Sequence, residues 1–210
     1  MSSGYKFYRA CYYLVNAVFA VVYPMHVIGK ENIPNGAGMV CANHSSNADP
    51  FLIALAFGID NQMHIIAKIE LFKIPVVSQL IRKLGMISVD RGILDATTIK
   101  TTLRYLKNNE KVVIFPEGTR VSKDDAASAK AGAVKLAERA GVPLVPVFLP
   151  RKKPVFRRVP LIIGEPYYVE KPDVRRSADD YDRLSANLMA KIKALAPVHT
   201  DAKPVFGVRR

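Results

Sequence analysis

The sequence predicts an α/β fold, a single domain with a largely parallel central sheet flanked by helices. Short apolar segments of strand length alternate along the chain with segments whose apolar residues recur at helical spacing. Glycine, proline and asparagine separate many of these segments, and no internal repeat or low-complexity linker divides the 210 residues. Such alternation is typical of parallel strands connected by helices.

Residues 1–24 are predicted to form an N-terminal membrane-associating helix, ahead of the α/β domain over residues 25–210. Residues 10–29 carry no charge, and five of the nine tyrosines lie before Pro24, which suits a membrane interface. Pro24 ends the helix, so its uncharged part, residues 10–23, spans about 21 Å, less than the hydrocarbon core of about 30 Å. We therefore expect a monotopic helix on one leaflet. An amphipathic helix packed on the core and a cleaved signal peptide are the alternatives.

Short apolar runs between the turns are predicted to be the strands. Two prolines, Pro143 and Pro146, fall beside and within one of these runs, and they suggest that this strand lies at an edge of the sheet or forms a pocket wall. The predicted strands are His26–Ile28, Met39–Ala42, Met63–Ala67, Met86–Val89, Val112–Phe115, Leu144–Leu149 and Leu161–Ile163.

Helices are predicted between the strands from their capping and stop residues. Pro50 suits the first position of a helix, and Asp49 directly before it suits the N-cap. Gly85 and Gly141 stop two later helices, and residues 177–180 open the last helix as a capping box. The apolar faces of the later helices comprise Val77, Leu80, Ile81 and Leu84; Ile99, Leu103 and Leu106; Ala133, Leu136, Ala137 and Ala140; and Tyr181, Leu184, Leu188, Ile192 and Leu195.

The charge balance predicts polyanionic partners. The chain has 31 Lys and Arg against 18 Asp and Glu, a net charge of +13, which suits anionic lipid, phosphate-rich cofactors or acidic carrier proteins. Residues 151–158 hold five of the cations, and we interpret this run as a binding surface for anionic lipid or an acidic partner. A solvated loop is the alternative. Binding of nucleic acid is disfavoured because Phe156 is the only aromatic residue of the run.

The stretch from Asn43 to Pro50 follows a predicted strand and opens a predicted helix, where α/β proteins commonly carry their chemistry. It contains His44 and, five residues later, Asp49. A histidine imidazole is mostly neutral near pH 7 and can accept a proton, while a neighbouring carboxylate can fix its tautomer and stabilise the imidazolium. The pair is therefore a candidate for general-base catalysis. On this pattern alone, a structural role for both side chains stays open.

A second candidate segment, residues 115–120, has the sequence Phe-Pro-Glu-Gly-Thr-Arg and follows a predicted buried strand. Gly118 allows close approach of the backbone, Thr119 can donate a hydrogen bond, and Arg120 can grip a phosphate with two parallel bonds. Glu117 can orient that arginine or bind a substrate hydroxyl. A polar turn with a surface ion pair is the alternative.

Two further cations stand at the ends of predicted strands. Arg91 follows the strand Met86–Val89, and Lys68 follows the strand Met63–Ala67. Because parallel strands end at one edge of a sheet, these cations can complete a phosphate clamp begun by residues 115–120. A solvated surface charge is the alternative for Lys68.

The order and spacing of these blocks resemble the 1-acylglycerol-3-phosphate acyltransferase family, also called the lysophosphatidate acyltransferases. The N-H-x4-D block of that family is matched by residues 43–49, and its G-x-I-x-x-x-R block by residues 85–91. Its F-P-E-G-T-R block is matched in full by residues 115–120, and its V/I-P-x-x-P-V pattern by residues 142–147. Residues 68–72 resemble the K-x-E-L-F segment of the family.

The resemblance implies an acyltransferase that moves a fatty acyl chain from an acyl thioester to the sn-2 hydroxyl of 1-acylglycerol 3-phosphate, forming phosphatidic acid in phospholipid biosynthesis. His44 would deprotonate that hydroxyl and Asp49 would orient the ring, and no acyl-enzyme is needed because the hydroxyl is itself the nucleophile. The residues implied to hold the glycerol-phosphate head group are Arg91, Glu117, Gly118, Thr119 and Arg120, with Lys68 as a further cation.

The resemblance also implies the partners, while the N-terminal helix and the charge balance give the expected location. The acceptor would be a lysophospholipid, and the donor acyl-CoA or acyl-acyl carrier protein, with no metal or redox cofactor. The protein would be monotopic and membrane-associated, on a surface with anionic lipid, with its active site facing the cytoplasm. An acyltransferase for another lysophospholipid is the alternative within this class. A basic module that binds anionic lipid or nucleic acid is the alternative outside it, and it leaves His44 and Asp49 unexplained.

Overall fold

The structure is a computed structural model that describes residues 3–90, 95–118, 130–170 and 175–197. The described helices are α1 (Ser3–Val22), α2 (Asp49–Phe57), α3 (Pro75–Lys83), α4 (Ala96–Lys107), α5 (Gly132–Ala140) and α6 (Ala178–Ala194), with short 3₁₀ helices at Lys30–Asn32 and Ile69–Lys73. The described strands are β1 (Met25–Ile28), β2 (Gly38–Ala42), β3 (Met63–Lys68), β4 (Ile87–Val89), β5 (Lys111–Ile114), β6 (Leu144–Phe148) and β7 (Val159–Ile163).

The strands form one seven-stranded sheet in the order β1-β7-β6-β2-β5-β3-β4. Every neighbouring pair is parallel except β6 and β7, which are antiparallel. The prediction of an α/β domain with a largely parallel sheet is therefore confirmed. The strand boundaries agree with the sequence-based ones to within two residues.

The edge position predicted for the proline-containing strand is wrong, because β6 lies between β7 and β2. The carbonyl of Pro146 accepts a hydrogen bond from the backbone N–H of Gly164 at 2.8 Å. The nitrogen of a strand residue faces the same side as its carbonyl, so the missing N–H of Pro146 faces the point where β7 ends. The interior position therefore costs no hydrogen bond to β2.

Helices cover both faces of the sheet. On one face, apolar residues of α4, α5 and α6 pack against β2, β5 and β6, with Leu106, Leu136 and Leu188 nearly or fully buried. On the other face α2 packs through Leu52 and Ile53, both 0% exposed, and side chains of α1 lie against this second layer. Parallel sheets are stable in this arrangement because each apolar face is covered.

The predicted stop signals end two of the helices. Gly85 follows α3 with a φ of +73°, and the N–H of Met86 reaches back to the carbonyl of Ile81 at 2.9 Å. Gly141 ends α5 with a φ of +67°, in the left-handed region where a side chain is strained. The capping box of α6 is also present, since the Ser177 side chain and the Asp180 carboxylate each accept from the other's backbone N–H. These local predictions are confirmed.

The helix α1 begins at Ser3 and ends two residues before Pro24, so it is longer than its uncharged part alone. Its inner face contacts α2, since the hydroxyl of Tyr12 donates to the carbonyl of Leu55 at 3.2 Å. Its outer face is apolar and exposed, with Leu14 at 69% and Val18 at 51% exposure. Among the described residues, no helix is both long and apolar enough to cross a membrane.

The sheet order brings the candidate functional segments to one edge. The strands β6, β2, β5, β3 and β4 are consecutive neighbours and run parallel, so their carboxyl ends lie along the same edge. The segments that follow them begin with Leu149, Asn43, Phe115, Ile69 and Asp90 respectively. The segments after β6 and β5 therefore flank the His44 segment, and those after β3 and β4 begin further along the same edge.

Candidate active site

A pair of reciprocal hydrogen bonds fixes the segment after β2. The side-chain amide of Asn43 donates to the carbonyl of Leu149 at 2.7 Å, and the N–H of Leu149 donates to the Asn43 side-chain oxygen at 2.9 Å. Asn43 is 7% exposed, so both of these bonds are shielded from water. The loop that carries His44 is thereby held to the end of β6.

The imidazole of His44 and the carboxylate of Asp49, which are predicted to act together, are in contact. Nδ1 of His44 lies 3.0 Å from Oδ2 of Asp49. Since an ionised carboxylate can only accept, Nδ1 carries the hydrogen of this bond and Nε2 presents its lone pair. The His44 side chain is 17% exposed and the Asp49 side chain is 0% exposed, so the imidazole is accessible from outside while the carboxylate that orients it stays buried.

Asp49 is the first residue of α2, and its predicted role as the N-cap is wrong. Its Oδ2 instead accepts the backbone N–H groups of Ser45 and Ser46, at 2.7 and 2.8 Å, which precede the helix. The carboxylate therefore points back toward the His44 loop and not into the first turn of α2. Burial raises the pKa of Asp49, but the hydrogen bonds from His44 and Lys153 outweigh it and hold the pKa below its ordinary value.

Two groups after β5 hold His44 from the other side. Oε2 of Glu117 accepts the backbone N–H of His44 at 3.0 Å. The ring of Phe115 stacks on the imidazole with a centroid distance of 4.1 Å and an interplanar angle of 24°. Glu117 is 6% exposed, and its burial raises the pKa of the carboxyl, while the N–H of His44 and the charge of Arg151 lower it in part. The imidazole is thus fixed by both its backbone and its ring face.

A lysine from the segment after β6 completes the site. Nζ of Lys153 lies 2.8 Å from Oδ1 of Asp49, and the Lys153 side chain is 3% exposed. The same ammonium donates to the hydroxyl oxygen of Ser45 at 2.8 Å. Lys153 was included in the basic run of residues 151–158, interpreted as a surface for anionic partners, but its side chain points inward.

A cavity of about 1100 Å³ opens beside His44 and Phe115. Most of its lining is aliphatic or aromatic, from α3, α4 and α5 and the strands between them. Phe51 and Leu80, which line it, are 40% and 42% exposed, so the cavity meets the surface there. An apolar cavity of this size suits a long hydrocarbon chain whose reactive end lies at His44.

The predicted head-group residues are described in part. Lys68 is exposed and Gly118 has a φ of +67°, and both line the same cavity as His44. Glu117 is buried beneath the His44 backbone, so the contact seen for it is with the loop itself. Arg91, Thr119 and Arg120 lie outside the described residues, and their roles stay predictions.

Sequence reasoning missed three contributors to the site. Asn43 and Phe115 belong to recognised blocks, but nothing in their spacing showed that one would bind the end of β6 and the other stack on the imidazole. Lys153 carries no local signal, since a buried lysine and a solvated one look alike in a basic run. A possible clue was the position of Lys153 a few residues after a strand whose neighbour carries His44.

The arrangement is that of a general base with a fixed tautomer. Asp49 orients Nδ1 of His44, and Nε2 is available as a proton acceptor. The apolar cavity beside the ring is also lined by Lys68. The site is therefore suited to activating a hydroxyl that arrives on a substrate.

The chain is similar to known acyltransferases. A family profile described as Acyltransferase matches residues 24–149. The 1-acyl-sn-glycerol-3-phosphate acyltransferase of Bacillus subtilis (strain 168) is 36% identical over 168 residues, which cover 77% of the chain and 82% of that protein. A probable 1-acyl-sn-glycerol-3-phosphate acyltransferase of Mycoplasma pneumoniae is 33% identical over 126 residues, 58% of the chain, and the match spans only 47% of that protein.

A solved structure has a similar fold. The crystal structure of the 1-acyl-sn-glycerophosphate (LPA) acyltransferase PlsC from Thermotoga maritima aligns with a TM-score of 0.61 at 27% identity. The alignment covers 91% of this chain and 76% of that chain.

Proposed function

The chain belongs to the acyltransferase family, and from this premise we propose that it transfers a fatty acyl chain to 1-acylglycerol 3-phosphate and forms phosphatidic acid. The acceptor is lysophosphatidic acid and the donor is an acyl thioester. The relatives named above carry this activity in their names, and the fold of a lysophosphatidate acyltransferase is shared over most of the chain. The observation that carries the proposal is the His44–Asp49 contact, in which the His44 side chain lines an apolar cavity.

In the proposed mechanism, Nε2 of His44 takes the proton of the sn-2 hydroxyl while the oxygen attacks the thioester carbonyl. A new C–O bond forms, and the carbonyl electrons move to the oxygen. When the carbonyl re-forms, the C–S bond breaks, and the imidazolium returns its proton to the leaving thiolate. Asp49 stabilises the imidazolium between these two steps. The products are the diacyl lipid and a free thiol, with no acyl-enzyme and no metal or redox cofactor.

The head group is proposed to lie among the cations at the same edge of the sheet. Lys68 lines the cavity, and Arg120 and Arg91 follow Gly118 and Asp90 along the chain. A dianionic phosphate would be bound there by charge-assisted hydrogen bonds, with Gly118 and Thr119 supplying close backbone and hydroxyl contacts. Glu117 is proposed to act on the same region through the His44 backbone that it holds.

The cavity is proposed to hold an acyl chain, and its mouth to face a membrane with anionic lipid. Leu80 of α3 and Phe51 reach the surface at the mouth, and Phe19 of α1 packs against Phe51 with a centroid distance of 5.6 Å. The basic loop offers Phe156 at 70% exposure among exposed cations, and the N–H of Phe156 donates to the carbonyl of Val22 at the end of α1. A monotopic protein on the cytoplasmic surface, receiving acyl-CoA or acyl-acyl carrier protein, is consistent with these features.

The proposal is tested by a transfer assay on the purified full chain in mixed micelles. The acceptors are 1-acylglycerol 3-phosphate, a lysolipid with a phosphodiester head group and a monoacylglycerol, each with acyl-CoA and with acyl-acyl carrier protein. We expect phosphatidic acid, measured by mass spectrometry, as the fastest product, and none from a His44→Ala control. Faster acylation of the phosphodiester lysolipid would favour the alternative acceptor, and transfer to none of the acceptors would contradict the proposal.

A further inference from the structure

The Lys153 side chain occupies an unusual place for a lysine in a basic loop. Its neighbour Lys152 is exposed, whereas the Lys153 side chain is 3% exposed and its ammonium lies behind the His44 loop. Lysine is rarely buried unless its charge is paired, because desolvation of the ammonium is costly. The burial of the Lys153 side chain therefore depends on the groups that its ammonium contacts.

Those partners are the two residues that shape the His44 loop. Nζ of Lys153 lies 2.8 Å from Oδ1 of Asp49 and 2.8 Å from the hydroxyl oxygen of Ser45. The Ser45 hydroxyl in turn donates to the carbonyl of Arg151 at 3.3 Å. The ammonium thus joins the loop after β6 to the loop after β2, directly at the carboxylate that orients His44.

The two oxygens of Asp49 have separate tasks. Oδ2 receives Nδ1 of His44 at 3.0 Å together with two backbone N–H groups, and Oδ1 lies against Lys153. A tilt of the carboxylate away from its present plane would weaken the contacts of both oxygens. The ammonium therefore restrains the carboxylate in the one orientation that serves His44.

We propose that Lys153 is a positioning residue for acyl transfer, which fixes the Asp49 carboxylate and moderates its hold on the proton that His44 accepts. This inference rests on the proposed function. With Lys153 in place, the charge of Asp49 is shared between an ammonium and an imidazole. Without it, the full carboxylate charge acts on His44, which then retains its proton at higher pH and is less available as a base.

Other charged groups lie near the pair. Glu117 faces the backbone of His44 and adds negative charge, and the charge of Arg151 lowers the pKa of Glu117 in part. Lys130 lies beside Gly118, on the cavity side. Lys153 is in direct contact with the carboxylate of Asp49.

The test compares Lys153→Met with Lys107→Met, a matched change of an exposed lysine in the last turn of α4 that neither lines the cavity nor belongs to residues 151–158. We expect Lys153→Met to lower kcat about tenfold or more, by analogy with groups that orient metal-bound histidines, and to move the acidic limb of the kcat/KM profile upward by about half a pH unit. Lys153→Arg should restore the position of that limb. Lys107→Met should leave kcat and the profile unchanged.

A double variant isolates the route through Asp49. In an Asp49→Asn background, which removes the carboxylate charge, adding Lys153→Met should change kcat by less than about twofold, since the two act as one unit. A full, independent loss in that background would contradict a role through Asp49.

A second readout does not depend on turnover. The chain has four histidines, so the His44 ring signals can be assigned by NMR from their loss in His44→Ala. We expect the titration midpoint of His44 to rise in Lys153→Met and to stay at the wild-type position in Lys107→Met. If the wild-type chain fails to transfer acyl groups, the proposed function fails, while this titration still decides the role of Lys153. A lower Tm for Lys153→Met without any change in the limb or the midpoint would show a merely structural lysine and overturn the inference.

Discussion

Oε2 of Glu117 accepts the backbone N–H of His44 at 3.0 Å, although the two residues are 73 positions apart. The residue predicted to bind a substrate hydroxyl or orient an arginine therefore also holds the loop of the general base. Glu117 is 6% exposed, so loss of its side chain would leave a shielded N–H unsatisfied. Replacement by glutamine and by alanine separates the hydrogen bond from the charge.

We expect Glu117→Gln to keep most of the activity, since a glutamine oxygen can accept the same N–H bond. Glu117→Ala should lower the free energy of unfolding by about 1–3 kcal/mol and reduce kcat about tenfold or more. The measurements are chemical denaturation and initial rates at saturating acceptor. If Glu117→Gln is as inactive as Glu117→Ala while its stability matches wild type, the negative charge itself is required and the role as a loop support is insufficient.

Lys68 is predicted to contribute to phosphate binding, because it is exposed at the end of β3 and lines the cavity beside His44. We expect Lys68→Met to raise the KM for 1-acylglycerol 3-phosphate about tenfold, a modest value because solvent screens the ammonium. The KM for a monoacylglycerol should not change. Lys73→Met, an exposed lysine that does not line the cavity, is the control. Equal changes in KM for both acceptors would show that Lys68 does not bind the phosphate.

The size of the cavity is predicted to limit the length of the transferred chain. Ile99 of α4 lines it, so Ile99→Phe should shorten the space available, whereas Ile99→Ala should not. Loss of burial for two methylenes costs about 1.6 kcal/mol, so kcat/KM for the longest donors should fall more than tenfold in Ile99→Phe. Rates with a series of acyl-CoA donors check this. An unchanged chain-length profile in both variants would place the acyl chain elsewhere.

The exposed face of α1 is predicted to bind membranes. Leu14 and Val18 are 69% and 51% exposed, and glutamates at both positions should repel anionic lipid and remove apolar contact. We expect the Leu14→Glu, Val18→Glu variant to lose sedimentation with vesicles of phosphatidylglycerol and phosphatidylcholine. A variant with the same added charge on α6, Ala186→Glu with Asn187→Glu, should still sediment. Sedimentation of the α1 variant at the wild-type level would contradict the prediction.

Local sequence signals were sufficient for the elements of the fold. Gly85 and Gly141 end their helices because φ there is positive, and Ser177 with Asp180 begins α6 by satisfying backbone N–H groups within four residues. The motif blocks at the strand ends also predicted that His44 and Asp49 would meet. Each of these inferences depends on neighbours in sequence or on the common edge of a parallel sheet.

The features that local signals could not predict depend on contacts between distant residues. The sequence predicts that Asp49 caps α2. Its carboxylate turns back instead, because the N–H groups of Ser45 and Ser46 and the ring of His44 all donate to Oδ2. Pro146 predicts an edge strand. Its interior position is possible because the side of the strand that lacks an N–H faces the point where β7 ends. The sequence predicts a surface cation at Lys153, whereas the fold places the loop after β6 beside Asp49 and buries the side chain.

The central claim is that His44, oriented by Asp49, is the base in acyl transfer to a lysophospholipid. The most direct measurement is the single-turnover rate of phosphatidic acid formation by folded His44→Ala and Asp49→Asn variants, each with wild-type circular dichroism. We expect no detectable transfer by His44→Ala and a fall of about 10²–10⁴-fold for Asp49→Asn. Near-wild-type rates from a folded His44→Ala variant would contradict the account.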